Sequence, residues 1–143
     1  MKICGVELSG NDAIICLLQL DKQHFNLPDC RVRKLTLPKD HTREELQHFQ
    51  ITFAKLMSDY GVSHVAIKER AAKGKFSGGA IGFKLEAAIQ LIAAIDVVVL
   101  SQKDIKLGLS ENSLPIAFSE TGLKAFQEAA FTVAYVQSRR QPA

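Results

Sequence analysis

The stretch 64-HVAIKERAAKGKFSGGAIGFKLEAAIQLI-92 opens as a strand and closes as a helix. Val65 and Ile67 suit a pleated, covered strand, and the apolar residues from Ile81 onward suit a helix. Strand, loop and helix in that order make one half of a β-α-β crossover, which places the chain in the α/β class. The middle of the stretch sets Lys68, Glu69, Arg70, Lys73 and Lys75 beside Gly74, Gly78, Gly79 and Gly82. One carboxylate among cations on a glycine-rich loop has three readings: a phosphate grip, a metal site or a solvated turn. Arg70, Lys73, Lys75, Ser77, Gly78 and Gly79 are the expected contacts for a nucleic-acid or other phosphate, aided by amides at the following helix start. The loop is not a Walker motif, because Gly74-Lys75 runs into Phe76 and the earlier glycine is missing.

Before this stretch, 2-KICGVEL-8 alternates as a strand and stops at Ser9-Gly10-Asn11-Asp12, a polar hairpin turn. A second strand is expected over 13-AIICLLQL-20 and a third, half exposed, over 30-CRVRKLTL-37 ahead of Pro38. Thr42-Arg43-Glu44-Glu45 spells a capping box, and Leu46, Phe49, Phe53, Leu56, Met57 and Tyr60 recur at helical spacing until Gly61. After the crossover helix, about 80–94 and apolar nearly all round, come a strand over 96-DVVVL-100 and a short helix or turn over 102–109. A last helix is expected over about 120–139. The order β-β-β-α-β-α-β-α makes a mixed five-stranded sheet with helices on both faces.

At 143 residues, 47% of them apolar, the chain suits a single domain over 1–143 with a sizeable core. The formal charge of +3 is too small to announce nucleic-acid binding by itself, so local clustering must carry that argument. Cys4, Cys16 and Cys30 form no CxxC pair and read as free thiols in a reducing compartment. Glu7 interrupts the N-terminal apolar run, and no apolar run reaches the roughly 20 residues that span a bilayer. A cytoplasmic location follows as the expectation.

Glu7 ends the first strand, Glu69 lies just past the fourth, and Glu128 sits in the last helix. Glu128 has two readings: buried beside Phe126 and Phe131 in an apolar helix, where an unpaired carboxylate costs several kcal/mol, of order 2–7 for a buried polar group, or an exposed helix residue. Clustered carboxylates hold hard cations, and two ions about 4 Å apart can activate water and stabilise a leaving oxygen in phosphodiester cleavage.

The segment 3-ICGVELSG-10 resembles the first-strand motif of RuvC-like Holliday junction resolvases: an apolar strand, Gly, an aliphatic residue, an acid, then a Gly-containing turn. The stretch 64-HVAIKER-70 with its loop and helix, and 127-QEAAFTVAY-135, resemble their fourth-strand acid and closing acidic helix. The whole chain also resembles a bacterial domain family of uncharacterised function in which the KER…KGK…GG run is a hallmark. The resemblance implies a ribonuclease H-like fold, a nucleic-acid partner, and Mg²⁺ or Mn²⁺ held by Glu7, Glu69 and Glu128. It also implies a catalytic role for these acids, with Lys68 or Lys75 steadying the charge of the scissile phosphate.

This sequence departs from the resolvase pattern in three places. All three acids are Glu where the resolvases mostly use Asp at the first and last positions. The residue after Ile67, where their glutamate sits, is Lys68, and Ala125 stands one helical turn before Glu128. The leading expectation is a nucleic-acid-binding protein with a metal-dependent nuclease site. Its rival is a non-catalytic homodimer, joined through the 80–95 helix, whose basic loop binds a phosphate-containing ligand or a protein partner.

Overall fold

The computed structural model describes residues 1–22, 24–70 and 79–140. Strands β1 (Lys2–Ser9) and β2 (Asp12–Asp21) form the expected hairpin, in which Ser9 pairs with Asp12 across the tip. Gly10 at that tip has φ +59°, a conformation glycine adopts without steric cost. Strand β5 (His64–Lys68) runs parallel to β1, and β6 (Asp96–Leu100) runs parallel to β5. The sheet order is β3 (His24–Asn26), β2, β1, β5, β6, so β1 lies in the middle.

The third strand expected over 30–37 is a split edge. β3 (His24–Asn26) pairs with the far end of β2, and β4 (Lys34–Thr36) pairs with its near end, which gives six strands among the described residues. Pro28 lies between the two pieces and has no N–H to offer a ladder, so one continuous edge strand is not available there.

Strand alternation divides the core. Cys4, Val6, Leu8, Val65 and Ile67 face α1 (Arg43–Asp59) and α2 (Ala80–Gln90). Ile3, Ile14, Cys16 and Ala66 face the opposite layer, where α4 (Glu128–Arg140) crosses β1 and α3 (Gln102–Glu111) covers β6. Helix α1 begins with the capping box of Thr42 and Glu45 and buries Phe49, Phe53, Leu56 and Met57. Helix α2 buries Gly82, Leu85, Ala88 and Ile89, while Ala80, Lys84 and Ala87 stay exposed. Its apolar composition reflects small alanines on the outer side rather than burial all round.

The last helix starts at Glu128, later than the expected 120. Residues Phe118–Glu120 and Ala125–Gln127 form short 3-10 turns instead. Gly122, at φ +79°, breaks the backbone between them. Among the described residues no helix is long and apolar enough to cross a membrane.

Candidate functional site

Residue 5 sets the geometry. A Cβ on Gly5 would meet the Ala130 carbonyl oxygen and lie 2.8 Å from the Ala134 Cβ, so only glycine lets α4 pack this closely on β1. Gln127 fixes the start of that helix. Its buried Nε2 donates to the Ile15 carbonyl at 2.9 Å, and its Oε1 accepts from the Lys124 N–H at 2.9 Å. The result is to hold Glu128, the first residue of α4, at the end of β1 where Glu7 emerges.

Period-two alternation sends Ile3, Gly5 and Glu7 toward α4. The parallel register pairs Val6 with Ile67, so the next residues, Glu7 and Lys68, lie side by side on one face. Together with Glu128 they line a cleft of about 520 Å³. Ile105, Leu109 and Val133 supply apolar lining, and Gln102 and Thr132 add polar groups. The ion pairs among the described residues (Arg31 with Asp59, Lys55 with Asp59, His64 with Asp96) all lie elsewhere. Glu7, Lys68 and Glu128 thus face one cavity without being joined to one another.

Glu69 does not line this cleft. Its N–H donates to the Leu100 carbonyl at 2.9 Å, so the backbone is still held against β6 and alternation carries the side chain to the α2 face. There it lies close to Glu86. Burial first, and the Glu69 charge second, push the Glu86 carboxyl above its ordinary value, while Arg70 pulls the other way. The expected convergence of Glu7, Glu69 and Glu128 is therefore not what the fold produces; Lys68 takes the third place. Glu128 is exposed rather than buried, because it opens α4 at the cleft instead of lying within the helix.

Arg70 is engaged inside the fold. Its Nη1 donates to the Leu8 carbonyl, its guanidinium lies 5.9 Å from the Phe83 ring centroid, and a Cβ on Gly82 would meet its Cζ at 2.6 Å. It fastens β1 to the first turn of α2. Gly79 caps that helix without a side-chain hydrogen bond. The other expected loop contacts, Lys73, Lys75, Ser77 and Gly78, lie outside the described residues.

Sequence reasoning missed Phe126 and Lys34. Phe126 lines the cleft, and the Lys34 Nζ lies 5.6 Å from its ring centroid. No local signal in the sequence marks Lys34, whose place comes from strand pairing: Lys34 lies across from Ile14 and Ile14 across from Glu7. Phe126 falls inside the helix expected over 120–139, whereas in the structure it lies on a 3-10 turn that leaves its ring exposed.

In fold the chain is similar to Thermus thermophilus RuvC, with a TM-score of 0.74 at 10% identity over 96% of this chain and 93% of that one. It is also similar to the yeast mitochondrial Holliday junction resolvase Ydc2, with a TM-score of 0.58 at 12% identity over 96% and 78%. The fowlpox virus resolvase bound to substrate Holliday junction DNA gives 0.52 at 13% identity over 99% and 100%. Identities this low speak for the ribonuclease H-like fold alone. No curated protein matches the chain by sequence. The model of the family described as "Protein of unknown function (DUF3010)" matches residues 1–137, and the chain belongs to that family.

Proposed function

We propose that this protein binds a nucleic-acid phosphodiester backbone at the Glu7–Lys68–Glu128 cleft, together with one divalent cation rather than a pair. The supporting observation is that Lys68, and not Glu69, shares the cleft with Glu7 and Glu128. Among the described residues no three His, Cys, Asp or Glu side chains come together as a metal-holding group. The donor set therefore does not fit a two-ion centre.

It does fit one Mg²⁺ or Mn²⁺. Such an ion keeps several waters and takes one or two carboxylates plus a substrate phosphate. Glu7 and Glu128 are the residues that would hold it, and when bound it neutralises the carboxylates that would otherwise repel a phosphate. Lys68 supplies a second, fixed positive charge without a second ion. The structures solved for RuvC and the fowlpox resolvase with Holliday junction DNA favour nucleic acid over another phosphate ligand. Paired-ion cleavage is not part of this reading, because its third carboxylate faces the other side of the sheet.

The test is gel retention of branched, single-stranded and hybrid substrates in Mg²⁺ or in chelator. Mg²⁺ should strengthen retention in the native protein and in Glu69→Gln alike. In Glu7→Gln that gain should fall by at least the roughly 10-fold that loss of even an outer-shell metal partner costs. Absence of retention, or a Mg²⁺ effect that depends on Glu69, contradicts the reading.

A further inference from the structure

We infer that Phe126 and Lys34 form a subsite for one unpaired nucleotide at the mouth of the cleft, the ring stacking on the base and the ammonium meeting its phosphate. This rests on the nucleic-acid reading above and names the part of the strand the site selects.

Phe126 is 43% exposed, the one aromatic among the exposed large hydrophobic residues of the described chain. It takes no part in the buried core clusters, whereas the neighbouring Phe118, Phe131 and Tyr135 pack into them. Its backbone is nonetheless held firmly, because it precedes the buried and doubly hydrogen-bonded Gln127. An aromatic ring held on a rigid turn, open to solvent and lining a cleft with charged groups, contributes little to the fold and offers a stacking face.

Lys34 is placed by the sheet. It pairs with Ile14, Ile14 pairs with Glu7, and Glu7 lies beside Lys68, so one row across the sheet carries a cation on each side of Glu7. At about 4.8 Å per strand, Lys34 stands roughly 10 Å from Glu7. Lys34 is exposed and rests over the Phe126 ring, and among the described residues it forms no ion pair. A cation–π contact in water is weak enough to exchange for a phosphate oxygen when a base arrives on the ring.

Bases inside a duplex are stacked on both sides and cannot lie on a protein ring, so this subsite reads unpaired nucleotides. It tolerates any base, since every base has a π-face. The arrangement needs no loop outside the described residues.

The experiment measures affinity for a fluorescein-labelled oligothymidine and for a duplex of equal length. The native protein, Phe126→Ala, Phe126→Tyr and Lys34→Ala are compared, with thermal melts to show that each variant folds. Phe126→Ala should weaken single-strand binding roughly 5- to 150-fold, the measured range for losing one base–aromatic stack. Duplex binding should hold within about 2-fold, and Phe126→Tyr should restore the single-strand affinity. Lys34→Ala should lower the salt dependence of single-strand binding by about 0.7 in log–log slope. Equal loss on both substrates, or no loss on either, overturns the subsite while leaving nucleic-acid binding in place. Failure of the native protein to bind either substrate overturns both the subsite and the function it rests on.

Discussion

Lys68 closes β5 and Glu69 is the next residue, and a pleat that continues past the strand's end cannot aim both into one cleft. The Leu100 bond to the Glu69 amide keeps the alternation going through residue 69, which gives the cleft to the lysine. The sequence already contained this conflict, because period two applied to 65-VAIKE-69 from the buried Val65 and Ile67 puts Lys68 opposite them. What it did not contain was where β5 stops pairing, and a bulge at that point would have reversed the answer. On the other face, Glu86 is raised by its own burial and by Glu69. A carboxyl raised in the folded state binds more protons folded than unfolded, so stability falls as pH rises through the window just above the ordinary value of 4.5. Glu86→Gln should remove that decline and leave the protein at least as stable at pH 7, as read by thermal melts from pH 4 to 8.

At the scale of elements, the site depends on α4 crossing β1 at Gly5 and on Gln127 pinning the start of the helix. Gly5→Ala forces a methyl against Ala134 and Ala130, and overpacking of this kind costs about 1–3 kcal/mol. Chemical denaturation should show a lower midpoint with unchanged slope, and the Mg²⁺ gain in retention should shrink because Glu128 moves away from Glu7. The hairpin, the α1 capping box and the crossover were legible because each follows from local chemistry: turn residues, a Thr–Glu pair and hydrophobic period. The split edge was not, since three-residue strands carry too little periodicity and form only because β2 offers them a ladder. The helix start was misplaced for a related reason. Residues 120–127 have helix-compatible composition, but Gly122 at positive φ and the Gln127 contact to Ile15 hold them in turns. That misplacement concealed both the exposure of Phe126 and that of Glu128.

Across the whole molecule, a net charge of +3 says little, but its arrangement says more. The row Lys34–Ile14–Glu7–Lys68 sets cations on either side of a carboxylate at the open end of the parallel strands, under the first residue of α4. Two carboxylates with flanking lysines favour a ligand that brings phosphate and shares one divalent ion. The claim that Lys68 is a phosphate contact is tested most directly by the salt dependence of duplex DNA binding in the native protein and in Lys68→Ala. Each neutralised phosphate contributes about 0.9 to the slope of log affinity against log salt. The slope should be shallower by about that amount in Lys68→Ala, with weaker binding on every sequence. An unchanged slope would contradict the claim.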